Sequence, residues 1–595
     1  MSTAIVTGQP VPGSSLENDL RSLGFDVRAA GDASEAEALL AAVLADRRVA
    51  LVDARFVGHP HALRLGLTDP RFPLAAVPGA VTAQPAARQA LTRALARETS
   101  AGGGTAVAVD NLADRVVTAL DADGSAVHRP ELGSLVAAVP DDPQARNEAR
   151  QAVAAVDDEA VRLKSAVKAR DGFFTTFFIS PYSRYIARWC ARRGLTPNQV
   201  TTASLLTALI AAGCAATGTR AGFIAAGVLL IASFVLDCTD GQLARYSLQY
   251  STLGAWLDAT FDRAKEYAYY AGLALGAARG GDDVWALALG AMILQTCRHV
   301  VDFSFNEANH DATANTSPTA ALSDKLDSVG WTVWLRRMIV LPIGERWAMI
   351  AVLTAATTPR ITFYVLLVGC AFAATYTTAG RVLRSLTRKA RRTDRAAQAL
   401  ADLADNGPAA SLVARATRAR LGAPLLVALA GTAVLAVSLF SGVTWAPVAG
   451  AVVYAVTSGQ ALYRPLKGAL DWLVPPLFRA AEYGTVLVLA SKAGVNGALP
   501  AAFGLVAAVA YHHYDTVYRI RGNAGAPPAW LVRAIGGQEG RTLLVTVLAA
   551  LLTASQFKVA LTVLAVAVAL VVLVESIRFW VSAGAPAVHD EGEPA

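Results

Sequence analysis

Charge is scarce in this 595-residue chain: Asp, Glu, Lys and Arg make up 17% of it, where soluble globular domains carry roughly a quarter. Hydrophobic residues make up 54%. That imbalance excludes a wholly soluble protein and points to membrane spans. Cysteine is also sparse. Cys190, Cys214, Cys238, Cys297 and Cys370 show no CxxC pairing, so no disulfide framework is implied and they read as packing residues of a reducing compartment. The first residues lack a basic segment followed by an apolar core, and no signal peptide is expected there. The glycine run in "SAGGGTAV" lacks the GxxxxGK spacing of a phosphate loop and reads as a plain loop. The net charge of +7 is expected to face anionic lipid rather than nucleic acid, because Lys and Arg of polytopic proteins line cytoplasmic loops.

What is present divides into four parts. Residues 1–165 alternate apolar bursts ("TAIVTG", "FDVRAAG", "RVALVDARF", "TAVAVD") with helix-like runs, the pattern of a soluble α/β domain with a parallel sheet. An amphipathic stretch follows, in which Arg184, Arg188, Arg192 and Arg193 interleave with Tyr185, Ile186 and Trp189, suited to the headgroup region on the cytoplasmic side. Six apolar runs then fall within residues 171–386: 200–218, 221–236, 252–275, 284–305, 347–358 and 361–382. Residues 387–420 form a basic linker. Six more runs follow in residues 421–595: 421–440, 448–462, 469–491, 499–517, 542–555 and 559–581. The expected fold is a polytopic α-helical membrane protein of about twelve transmembrane helices in two six-helix halves, with an N-terminal soluble α/β domain. Its site should face the cytoplasm from a bacterial-type inner membrane.

The stretch "DCTDGQLARYSLQYSTLGAWLDATFD" sets four carboxylates against this apolar background. Asp237 and Asp240 are one helical turn apart, and Asp258 and Asp262 stand at i,i+4 on the next helix, so a short turn between the helices aims all four at one volume. Unpaired anions that close repel unless a cation bridges them. Clustered oxygen ligands suit Mg²⁺ or Mn²⁺, and a two-ion arrangement activates a hydroxyl while neutralising a phosphate leaving group. Gly241 leaves room for a ligand, Arg245 offers a planar fork to phosphate oxygens, and Gly254 with Ala244 allows the two helices to pack closely. The alternative is a loop in which the acids pair with Arg245, Arg263 and Lys265.

The pattern D-x2-D-G-x2-A-R-x8-G-x3-D-x3-D, met at every position from Asp237 to Asp262, resembles the signature of the CDP-alcohol phosphotransferases. The resemblance extends over about residues 171–386, including "LTPNQVT" at the start of the first run. It implies a membrane enzyme that transfers a phosphoalcohol from a CDP-linked donor to a hydroxyl acceptor, a lipid or a phosphorylated polyol, and releases CMP. It also implies metal ligation by Asp237, Asp240 and Asp258, with Asp262 joining them and serving as general base. Gly241, Ala244, Arg245 and Gly254 would hold the cytidine diphosphate.

Other ionisable residues sit in or beside apolar runs. Glu266, Arg298, His299 and Asp302 are candidates for the acceptor side, with Glu307 near them, and a buried pairing network that fixes helix register is the alternative. Arg360 and Arg381 could meet a phosphorylated acceptor or anchor helix ends, and anchoring is the favoured reading. Internal echoes suggest duplication: "DGQLARY" with "SGQALYR", "DRAKEY" with "FRAAEY", and "HVVD" with "HHYD". In that alignment Asp237, Asp240, Asp258 and Asp262 face Ala455, Ser458, Val474 and Phe478, so the second half would hold no metal. It would act as a packing partner that mimics a dimer within one chain, and a homodimer and an intrachain pseudo-dimer are the two arrangements expected. The soluble unit followed by this core is similar to fused enzymes with an N-terminal nucleotidyltransferase. The loop "TGQPVPGSSLE" lacks their basic residues, and the unit reads as degenerate, regulatory or scaffolding. A transporter built of two six-helix halves and a silent scaffold are the rival classes.

Overall fold

The computed structural model describes residues 2–101, 111–168, 171–312, 334, 338–387, 390–416 and 422–582. The glycine run after Ser100 and the apolar burst that follows it lie outside these residues, as do short parts of the basic linker.

The N-terminal unit contains strands β1 (Ser2–Thr7), β2 (Phe25–Ala30), β3 (Val49–Asp53), β4 (Val57–Gly58), β5 (Leu74–Val77), β6 (Ala80–Ala83) and β7 (Ala137–Ala138). Its helices are α1 (Leu16–Ser22), α2 (Ala33–Ala42), α3 (Pro60–Leu67), α4 (Arg88–Ala101), α5 (Leu112–Ala122), α6 (Pro143–Ala154) and α7 (Asp158–Ser165). Five strands form one sheet in the order β2-β1-β3-β6-β5. Alternation along the strands serves two layers. Ile5, Val49 and Leu51 face α2, α4 and α5, whereas Ala4, Val6, Ala50 and Val52 face α1 and α3.

The sheet is mixed, which corrects the expectation of a parallel one. β1 pairs in parallel with β2 and β3, but β6 runs antiparallel to both β3 and β5. The reason is local: Pro78 and Gly79 join β5 to β6 in a tight turn, with Gly79 at φ +76°.

Helix α8 (Ser180–Arg192) introduces the apolar part, with Ser183, Ala187 and Cys190 buried and Tyr182, Tyr185 and Trp189 exposed. Then come α9 (Pro197–Ala216), α10 (Arg220–Ser247), α11 (Thr252–Arg279), α12 (Trp285–Asn309), α13 (Ile343–Ala356) and α14 (Pro359–Thr387). The linker carries α15 (Asp394–Leu403) and α16 (Pro408–Ala416). The second set is α17 (Pro424–Leu439), α18 (Trp445–Ala461), α19 (Val474–Lys492), α20 (Ala498–Arg521), the short α21 (Ala529–Ala534), α22 (Gly537–Leu551) and α23 (Ala554–Ser582).

All twelve apolar runs are helical, and the chain is an integral membrane protein. Among the described residues, five segments are long and apolar enough to cross a membrane: Pro197–Ala216, Arg220–Ser247, Pro359–Thr387, Asp471–Lys492 and Ala554–Ser582. The rest differ for physical reasons. Helices α13, α17, α18 and α22 have 14 to 17 residues, and α11, α12 and α20 carry several charged side chains each.

Helix α9 starts at a capping box in which Thr196 and Gln199 satisfy each other's backbone N–H, with Pro197 in the first turn. It is the axis of the first set of helices, since α10 and α11 both pack along it. Gly272 and Gly276 of α11 lie against the backbone of Ala212 and Ala215, where a side chain would collide. At 1.5 Å per residue the 28 residues of α10 extend about 42 Å, beyond the ~30 Å of a hydrocarbon core. Its C-terminal turns therefore place Asp240 at the edge of that thickness and Arg245 beyond it.

Candidate active site

Helix α10 continues through the acids without a break and places Asp237 and Asp240 on adjacent turns. Helix α11 starts at Ser251, whose hydroxyl accepts from the Gly254 N–H at 2.9 Å, and the next two turns bring Asp258 and Asp262 to the same side. One carboxylate oxygen from each of Asp237, Asp240 and Asp258 falls within 4.8 Å of the others. Asp240 is only 4% exposed, and its Oδ2 has no hydrogen-bond partner. A buried carboxylate oxygen left in that state is costly, and a cation shared with its two neighbours would satisfy it. The donor set, all oxygen, fits a hard divalent cation.

Asp262 stands apart from this trio. Its Oδ1 lies 3.0 Å from the ammonium of Lys265, which also pairs with Asp237 and donates to the Ser204 hydroxyl at 3.2 Å. Lys265 is fully buried. The pairing alternative raised from the sequence thus holds for Asp237 and Asp262 through Lys265, while Arg263 turns away to Glu266 at 2.8 Å.

The acids line a cavity of about 350 Å³, and Gly241, Ala244, Arg245 and Gly254 line it with them. A methyl group at Gly241 would meet nothing closer than the Arg245 guanidinium at 3.5 Å, so this glycine keeps the cavity open. Gly254 acts differently from the expectation. A Cβ there would come within 2.7 Å of Asn198 Oδ1, at the start of α9. Its small size serves the contact with α9, not a close approach of α10 to α11, because those two helices share α9 as their neighbour. Asn198 and Thr201 also line the cavity, as does Tyr250 on the turn between α10 and α11. None of these three is among the site residues expected from the sequence. Asn198 and Thr201, one turn apart at the polar start of an apolar helix, were the available signal.

None of Glu266, Arg298, His299 and Asp302 lines this cavity. Glu266 accepts from Arg263, from Arg346 at 3.3 Å and from the Tyr270 hydroxyl at 2.6 Å. His299 lies 2.7 Å from Gln295 and bonds Tyr514 of the second half. Arg298 donates to the Val340 carbonyl, and Asp302 pairs with Arg381. Glu307 lies 3.6 Å from Arg395. Arg360 donates to Asp282 at 2.9 Å, tying two helix ends together.

Comparison with known proteins adds to this geometry. The family model of the CDP-alcohol phosphatidyltransferases matches residues 194–375, and a family of unknown function, DUF5941, matches residues 394–595. The phosphatidylinositol phosphate synthase of Streptomyces avermitilis is 34% identical over 131 residues, 21% of this chain and 51% of that protein. The archaetidylinositol phosphate synthase of Pyrococcus horikoshii is 32% identical over 113 residues, 19% of this chain and 58% of that protein. The bifunctional IPC transferase and DIPP synthase of Aquifex aeolicus is 32% identical over 114 residues, 19% of this chain and 26% of that protein. The matches span about half the length of the first two relatives and a quarter of the third. With the motif intact and its acids gathered in one cavity, residues 194–375 of this chain belong to the CDP-alcohol phosphatidyltransferase family.

Proposed function

We propose that this chain transfers a phosphoalcohol group from a CDP-linked donor to a hydroxyl acceptor and releases CMP, at the cytoplasmic face of the membrane. The observation that carries the reading is the convergence of Asp237, Asp240 and Asp258 in a cavity that all eight motif residues line. These three acids would hold Mg²⁺ or Mn²⁺, with Asp262 positioned to join a second ion. Such ions, when bound, neutralise charge on a diphosphate and its leaving group. Asp262 would accept the proton of the acceptor hydroxyl, and Gly241, Ala244, Arg245 and Gly254 would face the cytidine diphosphate. The names of two relatives favour a phosphorylated inositol as acceptor. The hydrogen bonds of Glu266, His299 and Asp302 favour the register-fixing role for that group. The basic face of α8 supports the cytoplasmic orientation.

We further infer that the second half repeats the first without its acids. Neighbour order supports this: α9–α10, α9–α11, α10–α13, α11–α12 and α12–α14 correspond to α17–α18, α17–α19, α18–α22, α19–α20 and α20–α23. So do the buried ion pairs. Arg263, Glu266 and Arg346 have counterparts in Arg479, Glu482 and Arg541, with Arg479 to Glu482 at 2.8 Å and Arg541 to Glu482 at 2.6 Å. Glu345 accepts the Phe174 N–H at 3.2 Å ahead of α8, and Glu539 accepts the Gly407 N–H at 2.9 Å ahead of α16.

The test is CMP release by the purified full-length protein, with candidate CDP-linked donors and acceptors, with and without Mg²⁺ or Mn²⁺. Strict metal dependence is expected, with turnover lost in Asp240→Asn and Asp262→Asn. Undiminished CMP release in those variants would sink the reading.

A further inference from the structure

The turn between α10 and α11 forms one wall of the cavity through Gln249, Tyr250 and Ser251. It is strained. Leu248 adopts φ +51°, in the left-handed region where helices usually end on glycine, and the last carbonyls of α10 need partners from outside the helix. Those partners come from the N-terminal unit. Arg162 Nε donates to the Tyr246 carbonyl at 2.9 Å, and its guanidinium lies 3.6 Å from the centre of the Tyr246 ring. Arg64 donates to the Ser247 carbonyl at 3.1 Å. The Tyr246 hydroxyl donates to both oxygens of Glu159, at 2.9 and 3.1 Å, and Arg71 stacks 4.0 Å from the centre of the Tyr250 ring. One residue earlier, Arg245 Nε donates to the Ala166 carbonyl at 2.6 Å. Glu159 also lies 3.8 Å from Arg188 and 3.9 Å from Arg192 of α8, so the same hub reaches the membrane-facing helix.

Cations at a helix C-terminus both hydrogen-bond its carbonyls and oppose its dipole. Here they belong to a separate unit, and each grips a backbone or ring beside the nucleotide-facing wall. We propose that the N-terminal unit is a clamp on the donor site, in which Arg162 and Arg71 are positioning residues that hold the turn 246–251 in the shape that receives the cytidine nucleotide. The clamp rests on the CDP-donor reading for its ligand but not for its contacts. It gives the soluble unit a role that requires no catalysis of its own. Any ligand or partner that pulls this unit from the turn would weaken nucleotide binding by the same factor that nucleotide weakens its own binding.

The experiment uses the full-length protein in detergent or lipid nanodiscs, comparing wild type with Arg162→Gln, Arg71→Gln and Tyr246→Phe. The last removes only a hydroxyl and guards against variants that fail to fold. Hydrogen exchange of residues 248–251 is followed in ligand-free protein, CMP affinity is measured in the presence of Mn²⁺, and Mn²⁺ affinity is measured alone. The clamp requires exchange faster by about tenfold and CMP bound about tenfold more weakly, the scale of one lost charged hydrogen bond, with Mn²⁺ affinity within about twofold of wild type. Unchanged exchange, unchanged CMP affinity, or Mn²⁺ affinity falling in parallel overturns it. A wild type that binds no CMP overturns the enzymatic reading instead, while exchange in the ligand-free protein still decides the clamp.

Discussion

The ammonium of Lys265 lies between Asp237 and Asp262, buried and hydrogen-bonded to Ser204. Removing it leaves two largely buried carboxylates without their nearest cation, a loss on the order of 3 kcal/mol. Lys265→Met should therefore melt several degrees below wild type in chelator and recover most of the difference in Mg²⁺, which wild type needs less. Equal melting temperatures in chelator would remove Lys265 from this role. The acids themselves were legible in the sequence, because helical spacing alone puts Asp237 with Asp240 and Asp258 with Asp262 on common faces. The place of Lys265 was only half legible. Its i,i+3 relation to Asp262 is written in the chain, but its pairing with Asp237 crosses from one helix to another and depends on how both pack against α9.

Helix α3 connects the clamp to solution conditions. It carries Arg64, and one turn earlier His61, which is buried with neither ring nitrogen bonded. Burial, reinforced by Arg162 and Arg64, pushes the His61 imidazole down to about 4 from its ordinary 6.5. A histidine whose folded value lies below its unfolded one stabilises nothing by protonating. The unfolded chain takes up the proton first, so stability is retained above about 6.5 and lost as pH falls toward 4. Between pH 7 and pH 5 the N-terminal unit should lose about 2 kcal/mol by this route. Hydrogen exchange in α3 should quicken over that interval, and His61→Leu should flatten the response; a variant with the wild-type pH profile would exclude His61 as its source. At this scale the apolar runs announced their helices, since length and composition suffice for that. The β5–β6 hairpin did not announce itself, because the strands are four residues each and the deciding feature is one glycine with positive φ.

Across the whole molecule, the two sets of helices meet through α11 and α12 on one side and α19 and α20 on the other, with α12 against α19, α11 against α20, and α12 against α20. This exchange of third and fourth helices is what a two-fold axis between two copies would produce. Aromatic pairs fill the seam: Trp285 with Phe503, Phe305 with Trp472, Trp256 with Trp580, and Tyr514 over His299. A homodimer built on the same face of the first set of helices would have to displace the second set from this packed contact. On the repeat reading the chain should accordingly be a monomer, because this face is already covered from within. Native mass spectrometry of the full-length protein released from detergent should give the mass of one chain. Mn²⁺ titration should find its ions only in the first half, so that Asp240→Asn combined with Asp258→Asn abolishes specific Mn²⁺ binding altogether. A stable dimer of full-length chains would show that the seam leaves another pairing surface free. Residual stoichiometric Mn²⁺ in the double variant would mean that the second set of helices kept a site of its own, against the proposed repeat, which aligns Ala455, Ser458, Val474 and Phe478 with the four acids.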